Sequence, residues 1–260
     1  MPFYFGDKKG DALLKKIHLR EISARAKQWD HGGKGLSKYY EGAKKVDGDI
    51  LKIAKNEREL FAISLFAFAM SEDTGEDWWT AIPDKDPPDG LVMTLVSERG
   101  GLMARLREIE VVEHRSTPEE LIEVISNKMI AKSYVEETVL VCLGLSPAVY
   151  DFDELTRQIE VIDSTIDHIF IVFPGVAMNL AIGSRIPEKV IGQYSMVQLL
   201  PQRHAVTFNL RSHLEEFTKR YNAGQESRLI DGNSIYFGTC NPSQQKGETS
   251  NTASPSSKPD

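Results

Sequence analysis

The sequence predicts an α/β fold in which a mixed β-sheet is covered by helices, and three observations carry that prediction. Five segments in the middle of the chain alternate in type: an extended run over 102–112, a helix from Thr117-Pro-Glu-Glu, a strand over 138–144, a helix over 152–162 and a strand over 166–173. The runs 138–144 and 166–173 are predominantly apolar, the pattern of strands buried on both faces between helices. The composition, 260 residues with 41% hydrophobic and 27% charged, fits one globular domain with appended segments.

Taken in order, Leu13, Leu14, Ile17, Leu19, Ile22 and Ala26 recur at a roughly helical spacing over 11–28. His31-Gly-Gly-Lys-Gly reads as a break, 39–43 as a short helix and Asp47-Gly-Asp as a turn. A stronger, largely buried helix is expected over 53–70, where Leu60, Ile63, Leu65 and Phe66 give a wide apolar face. Its most apolar stretch, 62–70, has nine residues between Glu59 and Glu72, too short to cross a bilayer. The segment 71–88, with Asp77-Trp-Trp and Pro83-Asp-Lys-Asp-Pro-Pro, reads as a loop into a hairpin of 91–96 and 102–112 around Glu98-Arg-Gly-Gly. Thr117 offers a capping hydroxyl, Pro118 suits the first helical position and two acids follow, so a helix should run to about Tyr134. Further runs over 195–200 and 205–210 are extended, 213–221 is helical, and a last hairpin turns at Asp231-Gly-Asn. From Thr239 onward no large apolar side chain occurs, the composition of a disordered tail. The expected organisation is a basic helical segment over 1–50, a main domain over 51–238 and a polar tail over 239–260.

The formal charge of −7 argues against a protein that coats nucleic acid along its whole surface, but the charge is uneven. Residues 1–55 hold 13 Lys and Arg against 7 Asp and Glu, and the rest hold 18 against 31. Such a segment suits a phosphate-contacting arm, because cations near a duplex release condensed counterions; it equally describes a solvated amphipathic helix. The start of the chain shows no secretory signal, and the expectation is a cytoplasmic protein with no membrane partner. Cys142 and Cys240 are expected to be free thiols, which excludes a disulfide framework and a cysteine-rich zinc site.

Chemistry is suggested by Glu59, Asp89 and Glu110. With Arg99 and Gly100 as the central turn residues, partners across the hairpin sum to 199 and Asp89 falls opposite Glu110. A turn on Gly100-Gly101 shifts the partner to Val112. Along the second strand Glu108, Glu110 and Val112 point one way and Ile109, Val111 and Glu113 the other. An acid set among Ile109, Val111 and Val112 is costly to ionise without a positive partner. A hard cation supplies one, since Mg²⁺ takes one or two carboxylates, keeps waters and binds phosphate oxygens. The plainer alternative is a turn-forming Asp89 and a Glu110 paired with a lysine or set on a solvated edge.

The helix bearing Glu59, Asp86-Pro-Pro-Asp-Gly-Leu-Val, the hairpin, Arg107-Glu-Ile-Glu-Val-Val-Glu, the helix bearing Lys128 and two apolar strands together resemble the PD-(D/E)XK nuclease superfamily over about 53–173. The resemblance implies a restriction-endonuclease-like αβββαβ core that hydrolyses phosphodiester bonds, with DNA as partner. It implies Asp89 and Glu110 as ligands of Mg²⁺ or Mn²⁺, Glu59 as an accessory acid, and a lysine that positions or activates the attacking water. Val112 stands two residues after Glu110, where that lysine usually lies. Some members carry the lysine on the following helix, which points to Lys128, with Lys132 the other candidate. A different alignment takes Glu108-Ile-Glu110 as the acid-x-acid form of some restriction enzymes, and Glu113 joins only if the strand bulges. The alternative function is a catalytically inactive relative that binds nucleic acid or protein; a third is an interaction protein whose acidic body and basic segment serve an assembly partner.

Other motifs carry less. The six histidines, at 18, 31, 114, 168, 204 and 213, show no helical metal-binding pair. His114 adjoins the acids and is expected at an exposed strand end or on a phosphate. Gly32-Gly-Lys-Gly lacks the spacing of a nucleotide-binding loop. Trp78-Trp79 suits burial against the hairpin better than stacking on bases.

Overall fold

The computed structural model describes residues 16–46, 52–83, 88–98, 101–131, 134, 138–145, 150–166, 168–174, 193–221 and 225–237. Its first half contains β1 (Lys16–His18), α1 (Leu19–Arg25), β2 (Gln28–His31), α2 (Gly32–Lys45), α3 (Lys55–Thr74), β3 (Trp78–Ala81), β4 (Gly90–Glu98) and β5 (Gly101–His114). The second half contains α4 (Pro118–Ala131), β6 (Thr138–Gly144), α5 (Phe152–Glu160), β7 (His168–Pro174), β8 (Gln193–Leu200), β9 (His204–Asn209), α6 (Leu210–Arg220), β10 (Ser227–Asp231) and β11 (Ser234–Phe237). Leu13 and Leu14, the Asp47-Gly-Asp turn, Asp86 and Pro87, Arg99 and Gly100, Lys132, Cys240 and the tail over 239–260 lie outside the described residues.

The fold is mixed α/β, as the strand and helix patterning predicts: one 11-stranded sheet in the order β11-β10-β2-β3-β4-β5-β6-β7-β8-β9, with β1 beside the first part of β5, and six helices among the described residues. The centre, β5 to β7, is parallel and the flanks are antiparallel. β6 lies on the predicted residues and is buried along its whole length, which follows from its uninterrupted apolar run between parallel neighbours. Helix α5 starts where Asp151 accepts from the backbone N–H groups of Asp153 and Glu154, an N-cap that satisfies two otherwise open donors.

Period-2 alternation sorts the side chains into two layers. Val92, Ile109, Val111, Val139, Val141 and Phe170 face a core made with α2, α3 and α6. On the opposite face Val112, Leu140, Cys142, Ile169 and Ile171 pack under α4 and α5, and Trp29, Trp79, Leu91 and Met93 pack with α1 residues Leu19 and Ile22. Among the described residues no helix is long and apolar enough to cross a membrane.

Three expectations are corrected. The described part of 11–28 is strand, short helix and strand rather than one helix: Trp29 and His31 alternate inward from β2, which pairs with β10 and β3. His31-Gly-Gly-Lys-Gly does not break the chain, because α2 begins at Gly32. A Cβ on Gly35 would stand 2.0 Å from Ser64 Oγ, and one on Gly32 3.0 Å from the Phe68 nitrogen, so these glycines serve the close approach of α2 to α3. The loop over 71–88 contains β3, whose four residues are all buried; its shortness hid it among turn-forming neighbours.

Candidate functional site

The hairpin of β4 and β5 sets the geometry. Glu98 pairs with Gly101 and Gly90 with Ile109, the register that sums to 199, so Asp89 enters at the end of the ladder beside Glu110. The half-buried Asp89 carboxylate accepts the backbone N–H of Val111 at 2.7 Å through Oδ2, which ties the residue to β5. Gly90 lets the chain reach this point against α3, since a Cβ there would lie 2.5 Å from Ile63 Cδ1.

Glu110 projects to the face covered by α4 and is only 1% exposed. Lys128 follows Leu121 and Ile125 on the inward stripe of α4, and its ammonium donates to Glu110 Oε2 at 2.6 Å. Tyr134, beyond the end of α4, donates its hydroxyl to the same oxygen at 3.4 Å. Oε1 is buried and has no hydrogen-bond partner among the described residues. Burial pushes the Lys128 pKa down, but the hydrogen bond and charge of Glu110, with smaller contributions from Tyr134 and Asp89, outweigh it and raise the pKa above its ordinary value. Lys128 is therefore a firmly charged ammonium. Burial, and then the negative charge of Glu110, raise the Tyr134 phenol, which stays a neutral donor.

The other predicted residues fall elsewhere. Glu59 pairs with Lys55 one turn before it on α3 at 3.1 Å; the pKa of Lys55 is raised chiefly by Glu59 and further by Glu113 and Asp89, which places its ammonium in the field of all three. Glu108 pairs with Arg25 at 2.6 Å. Glu113 lies on the opposite face of a regular strand, gripped by Arg58 through Nε at 2.8 Å and Nη2 at 2.9 Å and by Arg115 at 2.7 Å. Burial raises its carboxyl, and the two arginines more than reverse that, leaving it below the usual range. His114 is buried rather than exposed, with Nδ1 3.2 Å from the Tyr150 hydroxyl, and desolvation lowers its pKa. Trp78 and Trp79 are buried in the sheet and are no platform for bases. The cations Arg25, Lys27, Lys34, Lys38 and Lys55 of the basic segment each pair with a carboxylate of the chain, at 2.6–3.8 Å.

Sequence reasoning missed Tyr134, Lys55 and Arg58 as participants around these acids. Only the tertiary fold brings Tyr134 and Arg58 there, whereas Lys55 stands at the i,i+4 spacing from Glu59 on α3. It also missed a second polar cluster on the flank of the sheet. There His31, Phe217 and Tyr221 line a cavity of about 330 Å³. The Tyr221 hydroxyl donates to Asp77, and His31 Nε2 stands 3.7 Å from Asp77 Oδ1. Gly33 N–H donates to His31 Nδ1 at 3.1 Å, which puts the proton of a neutral ring on Nε2, toward Asp77.

Among the described residues no group of three or more His, Cys, Asp and Glu side chains converges on a point where it could hold a metal ion. Asp89 and Glu110 are two, the number Mg²⁺ uses when waters and phosphate oxygens complete its shell. The donor set fits such an ion: two hard carboxylates, one with a buried oxygen that no donor among the described residues satisfies. No family model matches the chain, and neither does any curated protein or solved structure.

Proposed function

We propose that the chain is a metal-dependent nuclease that hydrolyses phosphodiester bonds in DNA, built on a restriction-endonuclease-like αβββαβ core. The observation that carries this reading is the buried Oε1 of Glu110, without a hydrogen-bond partner among the described residues, on the strand whose register sets Glu110 opposite Asp89, with a charged lysine on the other oxygen. The succession α3-β3-β4-β5-α4-β6 supports it, since it has the order of such a core. Asp89 and Glu110 would hold Mg²⁺ or Mn²⁺, which when bound polarises a phosphate oxygen and lowers the pKa of a coordinated water.

The residues of the chain supply the rest. Glu110 offers Oε1 from a rigid central strand, a position that cannot relax into solvent. Asp89 is held toward the same end of the hairpin by the Val111 N–H. Lys128 is a fixed positive charge on an inward helix face, which suits stabilising negative charge that develops on the phosphate. It substitutes in this role for the residue at 112, a valine packed in the core under α4. Glu59 and Lys55 form a charged rim on α3.

The test is cleavage of supercoiled plasmid and of single-stranded DNA with Mg²⁺ or Mn²⁺, comparing wild type with Glu110→Gln. Metal-dependent cutting that falls by about two orders of magnitude or more in the variant is expected, since even outer-sphere changes cost 10–100-fold. Equal cutting by both, or none by either, rejects the nuclease. The reading in that case is a non-catalytic module that binds nucleic acid or protein.

A further inference from the structure

Resting on the reading of Asp89 and Glu110 as an ion site, we propose that Tyr134 is a positioning residue that decides which oxygen of Glu110 faces the ion. The two oxygens of this carboxylate have unequal surroundings. Oε2 receives Lys128 Nζ at 2.6 Å and the Tyr134 hydroxyl at 3.4 Å, whereas Oε1 is buried and receives no donor among the described residues. The last torsion of a glutamate side chain is broad and roughly two-fold. An ammonium is a compact charge on a flexible stem and can follow a carboxylate through a range of rotations. A phenol hydroxyl on a rigid ring, coming from beyond α4, supplies a second and independent direction.

The 3.4 Å contact is longer than an ordinary hydroxyl hydrogen bond, so Lys128 anchors Oε2 and Tyr134 limits how far the carboxylate turns about that anchor. Oε1 is left facing the ion site. A neutral donor suits this place, because a second ammonium would add repulsion toward a cation held by the same carboxylate. Tyr134 in this role contacts neither ion nor phosphate and acts through Glu110, as outer-sphere partners of metal ligands do.

The experiment is Mn²⁺ binding followed by electron paramagnetic resonance on the full chain, for wild type, Glu110→Gln and Tyr134→Phe, with melting by circular dichroism to establish that each is folded. Wild type is expected to bind, Glu110→Gln to lose binding, and Tyr134→Phe to bind about tenfold more weakly with an unchanged melting temperature. In DNA cleavage the Mn²⁺ concentration for half-maximal rate should rise by the same factor, while kcat at saturating Mn²⁺ stays within about twofold, the signature of an interaction that acts on metal binding rather than on the transition state. Equal Mn²⁺ affinity in wild type and Tyr134→Phe overturns the role of Tyr134 and leaves the ion site standing. No Mn²⁺ bound by wild type, or equal binding by Glu110→Gln, overturns the ion site itself. A Tyr134→Phe variant that binds normally but has lost kcat overturns positioning in favour of direct participation.

Discussion

At Glu110 one oxygen carries both donors found among the described residues and the other none, an arrangement interiors usually avoid because an unsatisfied buried polar atom costs about 1–3 kcal/mol. Lys128 offsets the charge but not the bare atom. The pair thus differs from the salt bridge of Arg58 with Glu113, where both carboxylate oxygens are engaged. Asp77 shows a different balance. His31 foremost, and then the Tyr221 hydroxyl, outweigh partial burial and hold its carboxyl at about 2, against an ordinary value of 3.8. Because the folded pKa is depressed, the stabilisation it brings is present above about 3.8 and is lost as pH falls toward about 2. The difference in melting temperature between wild type and Asp77→Asn should therefore shrink on acidification from pH 5 to pH 2.5. A gap that stays constant would rule this out. Of these residues strand alternation and the hairpin register mark Asp89 and Glu110, because they act over a few residues, and the family resemblance points to Lys128. The sequence marks neither Tyr134 nor Asp77, whose partners come from distant elements.

Helix α2 is defined by what it lacks. A Cβ on Gly35 would meet Ser64 at 2.0 Å from Oγ and 2.8 Å from Cβ, whereas one on Gly42 would meet nothing within 4 Å. Gly42→Ala should stabilise the protein by about 0.5–1 kcal/mol through helix propensity alone. Gly35→Ala gains the same propensity but overpacks the contact with α3, at a cost of about 1–3 kcal/mol, and should be net destabilising. Urea denaturation of the two variants separates the effects, and stabilisation by both would mean that α2 and α3 do not touch as described. The same helix explains where reading the chain by pattern fails. Pattern treats glycines as punctuation, but Gly32 and Gly35 occupy an interface between helices. The register of the β4–β5 hairpin was legible because one turn position determines every partner, and β6 because a continuous apolar run bounded by polar residues admits few ends. β3 was not, since four residues give too short a pattern to stand out.

Across the whole molecule the sheet joins parts far apart in sequence. β2, from the segment that composition sets apart as basic, lies between β10 and β3, and β1 pairs with β5. The described part of the N-terminal fifty residues is built into the sheet, so unfolding should be one cooperative event. Differential scanning calorimetry is expected to show a single transition whose calorimetric and van 't Hoff enthalpies agree. An independent transition for the first fifty residues would contradict the pairing. Such long-range closure also makes for a high contact order and slow folding. The three tryptophans of the chain, Trp29, Trp78 and Trp79, all lie buried on β2 and β3. Indole emission therefore reports from one flank of the sheet and is silent about β6 to β9, so a fluorescence trace set against the backbone dichroism shows which side of the molecule gives way first.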